Sequence, residues 1–231
     1  MRQYSIDARN IKNPIYPCPI QMGGKNANGQ MLSIGNYYLS LDGKPFFGVC
    51  GEAHFSRMNR ELWEDEIIKM KAGGLNIIAT YIFWIHHEEI EGTFDFSGNK
   101  DLRIFLELCK KNHMYVILRI GPFSHGECRN GGFPDWIYGQ PFDIRCDDPS
   151  YLYYTRRFYE QIYQQAKGLL FKDNGPVIGV QLENEHEHAS CPWEMTTENS
   201  KEWVVSGHDG KNHMNTLKKI AKEVGFDVPL Y

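Results

Sequence analysis

Apolar residues recur along this chain with two alternating periods. Short, nearly continuous runs, such as Val177-Ile178-Gly179-Val180, read as strands covered on both faces. Between the runs, apolar positions return every three to four residues, as on one face of a helix. The first strand is predicted over residues 46–51. A helix follows, with Asn59 as its cap, Glu61 in its first turn, Trp63, Ile67 and Met70 on its buried face, and Gly73-Gly74 as its stop. A second strand covers 75–84. The next helix is capped near Asn99 and buries Leu102, Phe105, Leu106 and Cys109. A third strand covers 115–120, and a long loop runs from Gly121-Pro122 to about Asp147. Asp148 caps the third helix, Pro149 takes its first position, and Tyr151, Tyr154, Phe158, Ile162 and Leu169 form its stripe. The fourth strand covers 177–182, and a polar loop follows from about His186 to Gly210. The last helix carries Leu217, Ile220, Ala221 and Val224 and ends at Gly225. Val228-Pro229-Leu230-Tyr231 begins a fifth strand.

Ahead of these units, residues 1–35 are broken by Pro14, Pro17, Pro19 and several glycines and read as an irregular lead-in with short strands. A hairpin is predicted from Tyr37-Tyr38-Leu39-Ser40-Leu41, the turn Asp42-Gly43 and Pro45-Phe46-Phe47. Residues 36–231 therefore form an α/β domain of strand–helix repeats. A doubly wound sheet and a (β/α)8 barrel both fit the count. Polar clusters follow each of the first four strands, as at the mouth of a barrel. There is no Gly-x-Gly-x-x-Gly after the first strand and no phosphate loop, which argues against a nucleotide-binding sheet. The prediction is a TIM barrel of which this chain covers the first four to five βα units.

Composition narrows the class. The 231 residues carry 25 basic and 29 acidic side chains, a net charge of −4, which favours neither a nucleic-acid groove nor an anionic membrane. No apolar run reaches a membrane span, and no signal-peptide core follows Met1, so a cytoplasmic setting is expected. The cysteines Cys18, Cys50, Cys109, Cys128, Cys146 and Cys191 form no CxxC pair, and several are expected to be small buried hydrophobes. Neither His86-His87-Glu88 nor the interleaved Glu185, His186, Glu187 and His188 has metalloprotease spacing, so no metal is expected.

The richest chemistry follows the fourth strand, in Gln181-Leu182-Glu183-Asn184-Glu185. A carboxyl beside an amide can move a proton while its neighbour hydrogen-bonds a substrate hydroxyl. Four further segments precede it in order: Glu52-Ala53-His54-Phe55-Ser56-Arg57; Thr80-Tyr81-Ile82-Phe83-Trp84 with His87-Glu88; Arg119-Ile120-Gly121-Pro122-Phe123; and Gly131-Gly132-Phe133-Pro134-Asp135-Trp136. Together the five segments resemble the N-terminal part of the catalytic barrel of glycoside hydrolase family 35, the β-galactosidases. The resemblance covers roughly residues 36–185 and continues weakly to 231.

The resemblance implies a retaining exo-glycosidase acting on terminal β-galactosides, with no cofactor and a carbohydrate as partner. It maps the general acid/base onto Glu185. It places the nucleophile at the end of a seventh strand, beyond this chain, so that residues 1–231 alone are expected to be inactive. Glu187, Glu194, Glu198 and Glu202 follow strand four too closely to take that place. Tyr81, Glu127 and Asn184 are implied to contact sugar hydroxyls. Trp84 and Trp136 are candidates to stack on a sugar face, with core packing as the alternative. His87 and Glu88 are expected to orient the groups around them, and His54 and Arg57 to brace the mouth. The chain departs from the family pattern at Ser124-His125-Gly126-Glu127, usually Cys-Ala-Glu, and at His186-Glu187, usually Tyr-Gly. The same chemistry on a β-glucosaminide or β-glucoside, and non-catalytic carbohydrate binding, are the alternatives. Nothing in the sequence reads out an oligomeric state.

Overall fold

The structure, a computed structural model, describes residues 4–5, 14–16, 24–186 and 210–231. Cys18, Cys191, His188 and the carboxylates Glu187, Glu194, Glu198 and Glu202 lie outside the described residues.

Two sheets form. The smaller is an antiparallel meander of β1 (Leu32–Ile34), β2 (Leu39–Leu41) and β3 (Lys44–Phe46). The predicted hairpin is its β2–β3 half. Asp42 (φ 52) and Gly43 (φ 73) make the two-residue turn with both φ positive, whose twist suits paired strands. Leu32 to Ile34 pair with β2, so the lead-in boundary at residue 35 cuts through this sheet.

The larger sheet is parallel, in the order β4 (Cys50–Glu52), β5 (Ile77–Tyr81), β6 (Tyr115–Arg119) and β7 (Val177–Gln181). Each strand lies beside its predecessor in the chain. Val180 pairs in parallel with Leu230, so the predicted fifth strand begins next to the fourth. A doubly wound sheet reverses its order at a switch point; this one advances in a single direction, as in a partial (β/α)8 barrel.

The connecting helices are α1 (Trp63–Ala72), the short α2 (Trp84–His87), α3 (Leu102–Lys111), α4 (Pro149–Ala166) and α5 (Gly210–Val224). Asp148 caps α4 as expected, accepting from the Ser150 N–H at 2.8 Å. Two other caps differ from expectation. Asn59 makes no side-chain cap bond, because a 3-10 turn over Arg60–Leu62 separates it from α1. The cap of α3 is Asp101, accepting from the Ile104 N–H at 3.0 Å, while the side-chain Oδ1 of Asn99 accepts the Arg60 N–H instead.

Val116 and Leu118 of β6 are buried against Phe105, Leu106, Cys109, Phe158 and Ile162 of the helices. Each such side chain stabilises the fold by about 1.5–3 kcal/mol. The alternate residues face the other way. Ile77, Ile117 and Ile178 meet Leu32, Leu41 and Phe46 of the meander, which covers the lower part of that face. Two strands are shorter than expected. The first is Cys50–Glu52, since Phe46 joins the meander; it is an edge strand with Cys50 exposed rather than buried. The second ends at Tyr81, because the chain turns into α2 at Trp84. Cys109 and Cys146 are buried as expected, and Cys128 is half-buried. Among the described residues no helix is long and apolar enough to cross a membrane.

Candidate active site

Strand alternation builds the floor of the site. Tyr81, Arg119 and Gln181 stand abreast in register on neighbouring strands, at their C-terminal ends. Arg119 joins them. Its Nη1 donates to Glu52, its Nε to Gln181 Oε1 at 2.9 Å and its Nη2 to Asn184 Oδ1 at 2.9 Å. The guanidinium lies 3.7 Å from the centre of the Tyr81 ring. The Tyr81 hydroxyl also donates to Asn184 Oδ1, at 2.9 Å. Burial pushes the Tyr81 phenol up to about 12; Arg119 works against this, while Glu52, Glu185 and Glu127 add to it. Tyr81 therefore serves as a hydrogen-bond donor at neutral pH.

Beyond β7 the backbone turns sharply. Glu183 (φ 60) and Glu185 (φ 47) are both left-handed, a conformation that L-residues hold only under outside constraint. The constraint is Arg145, itself left-handed at φ 59. Its Nε and Nη2 grip the Glu183 carboxylate at 2.8 and 2.7 Å, and Nη2 also reaches the carbonyls of Asn184 and Glu185 at 3.0 and 3.3 Å. Both side chains are 1 % exposed. The Arg145 guanidinium rests on the Phe123 ring, and the His186 Nε2–H donates to the Arg145 carbonyl at 2.8 Å. Neither Arg145 nor Glu183 was among the sequence candidates. The signal available was a single arginine in the acidic stretch 143–148.

Glu185 and Glu127 are exposed, and both stand at this mouth. Glu185 Oε2 lies 3.7 Å from His125 Nδ1. Glu127 acts on His54 as well as on Tyr81; the His54 imidazole is lowered first by burial, with Glu52 and Glu127 opposing. Arg129, a possible partner for Glu127, pairs instead with Asp135 at 2.9 Å. His125, Gly126 and Glu127 form a run of left-handed residues at φ 57, 51 and 48. A Cβ on Gly126 would sit 3.0 Å from Phe83 and 3.2 Å from Tyr81, so glycine lets this turn close over the floor. The structure thus brings Tyr81, Glu127, Asn184 and Glu185 together.

It does not bring the tryptophans to them. Trp84 is fully buried, stacked in parallel on Phe158 at 4.7 Å, and its indole N–H donates to Glu88 Oε2 at 2.7 Å. No face is left for a sugar, so the stacking expectation for Trp84 is corrected: it belongs to the core. Trp136 is half-buried against Trp84 and Tyr154 and donates to the Glu88 carbonyl at 2.9 Å. Its packing joins the same helix-side cluster. Glu88 is buried and also holds Arg157 and the Gly92 N–H, so it braces a loop rather than orienting site residues. His87 is buried against Phe96, its Nδ1–H donates to the Asp95 carbonyl at 3.1 Å, and burial lowers it to about 3. His54 and Arg57 do brace the mouth: His54 Nδ1 accepts the Tyr81 N–H at 3.3 Å, and Arg57 lies over Phe83. An open pocket of about 490 Å3 runs from Gln181, Asn184 and Glu185 to Lys211 and Met214 of α5.

Residues 38–226 match the sequence profile of Glycosyl hydrolases family 35. The chain belongs to this family. It is 36 % identical over 169 residues to a β-galactosidase of Xanthomonas manihotis, covering 73 % of this chain and 28 % of that protein. It is 38 % identical over 167 residues to a human β-galactosidase, covering 71 % and 25 %. The chain thus spans about a quarter of the length of these family 35 relatives. Solved structures agree on the barrel. An exo-β-1,4-mannosidase from an Opitutaceae bacterium superposes with a TM-score of 0.58 at 15 % identity, covering 92 % of this chain and 34 % of that one. An endo-1,4-β-mannanase from Rhizomucor miehei gives 0.59 at 13 %, covering 86 % and 59 %.

Proposed function

We propose that the protein is a retaining exo-glycosidase for terminal β-galactosides, with Glu185 as its general acid/base. The observation that carries this reading is the Asn184-Glu185 pair, held at the C-terminal end of β7 beside Tyr81, Arg119 and Glu127. Family 35 membership and the β-galactosidases among its relatives support the substrate class.

In the first step Glu185 gives its proton to the leaving glycosidic oxygen. A second carboxylate attacks the anomeric carbon from the opposite face and forms the glycosyl-enzyme. Glu185, now a carboxylate, takes a proton from the water that releases the sugar. The second carboxylate must lie roughly 5–5.5 Å from the first. In this reading it comes from a later strand of the family's barrel. Asn184 and Glu127 hold sugar hydroxyls, Asn184 through its amide and Glu127 as an acceptor.

Glu185→Gln tests the assignment. Activated aryl galactosides need little protonation, and galactosides with poor leaving groups need it fully. The substitution is expected to slow the second type about 10²–10⁴-fold and the first far less in the glycosylation step. Equal loss on both types would remove Glu185 from the acid role.

A further inference from the structure

Arginine carries only donors, and so whatever it touches at hydrogen-bond distance must accept. This decides the orientation of two carboxamides at the mouth. The Gln181 atom facing Arg119 Nε at 2.9 Å is an oxygen, and so is the Asn184 atom facing Arg119 Nη2 at 2.9 Å. The Tyr81 hydroxyl and Gln181 Nε2 converge on the same Asn184 oxygen at 2.9 and 3.3 Å. Three donors saturate it. The Asn184 nitrogen is then the amide atom left for a ligand, and Asn184 lines the cleft together with Glu185. Arg119 is itself held by Glu52 and by the Tyr81 ring beneath it.

We infer that Arg119 is a positioning residue that makes Asn184 a dedicated hydrogen-bond donor, so that the ligand group met by Asn184 is an acceptor oxygen. A hydroxyl, ether or acetamido oxygen suits this place. A protonated amine does not, since it would present donors to a donor with the Arg119 cation behind it. The inference rests on the reading of the cleft as a sugar site only for the identity of the ligand; the amide orientation stands apart from it.

Two arms test it, each with all variants in the same polypeptide as the unsubstituted control. The first arm needs no sugar. The side-chain amide protons of Asn184, assigned by their disappearance in Asn184→Asp, are expected to exchange with water nearly as fast as a free amide. Protected protons would show that the nitrogen faces the floor and would overturn the inference. The second arm measures the affinity of methyl β-galactoside. Asn184→Asp keeps every acceptor bond to Arg119, Tyr81 and Gln181 but removes the donor; affinity is expected to fall roughly 10- to 100-fold with the fold intact. Arg119→Ala is expected to weaken binding comparably and to recover in part with added millimolar guanidinium, which a merely structural loss would not do. Retained affinity in Asn184→Asp overturns the donor assignment, and failure of guanidinium to rescue Arg119→Ala overturns the positioning role. If the unsubstituted protein binds no galactoside, the proposed function fails, while the exchange arm still decides the orientation of Asn184.

Discussion

Two arginines hold the segment 181–185, and their difference separates structure from recognition. Arg145 lies on the dry side. It is 1 % exposed, and its bonds go to the Glu183 carboxylate and to the carbonyls of Asn184 and Glu185. It fixes the backbone, keeping Glu183 and Glu185 left-handed. Arg119 lies at the mouth, 18 % exposed, against a Glu52 that is 41 % exposed. It fixes side chains rather than backbone: the Gln181 and Asn184 amides and the Tyr81 ring. The same guanidinium chemistry thus sets a loop conformation where water is excluded and a pattern of donors where water enters.

The largest expected effect breaks the dry half of this comparison. Arg145→Met leaves the Glu183 carboxylate buried without its partner, and removing one member of a buried pair costs about 3–5 kcal/mol. Urea denaturation measures it. A loss below about 1 kcal/mol would mean that the pair is not what holds the loop.

The matching change at the mouth is expected to cost less in the same assay. Arg119→Met loses a partly exposed ion pair and a cation–π contact, together no more than about 1–2 kcal/mol. Its effect falls on ligand affinity instead. If Arg119→Met destabilised the fold as much as Arg145→Met, the distinction between the two arginines would collapse.

A third test uses pH, away from both arginines. Burial holds the His87 imidazole at about 3 in the folded chain, against an ordinary value of 6.5. Between those values the unfolded chain binds a proton that the folded chain does not, so stability rises with pH through that window. The contribution is complete above about 6.5 and is lost as the pH falls toward 3. His213 is also lowered by burial, with its bond to Asp147 opposing. His87→Phe, stacked on Phe96 in place of the imidazole, is expected to flatten the acid side of the stability curve without abolishing its slope. Melting temperatures from pH 4 to 8 provide the check; an unchanged slope contradicts the assignment of a neutral, buried His87.

Much of this molecule was legible in one dimension. Apolar period located the parallel strands at Ile77–Tyr81, Tyr115–Arg119 and Val177–Gln181, the longer helices around them and the start of a fifth strand, because burial on both faces of a sheet leaves continuous apolar runs; it misplaced the edge strand Cys50–Glu52 and missed the short helix at Trp84. Asp148-Pro149 announced α4 through local capping chemistry. The order of the motifs pointed to the family and drew Tyr81, Glu127, Asn184 and Glu185 into one group, which the strand end at Tyr81 and the loops after β6 and β7 then brought to one mouth. Other features only the tertiary structure decided. Trp84 reads equally well as a sugar platform or as core until Phe158 of α4 is stacked on it. Asn59 and Asn99 read as caps until a 3-10 turn and Asp101 displace them. Arg145 and Glu183 stand 38 residues apart, and as isolated charges both look solvated. Their pairing depends on where two loops meet. So does the orientation of the Asn184 amide, which is set by an arginine 65 residues away. Periodicity records what each residue buries; the direction in which a polar group points is fixed by its partners, and these are brought to it by the fold.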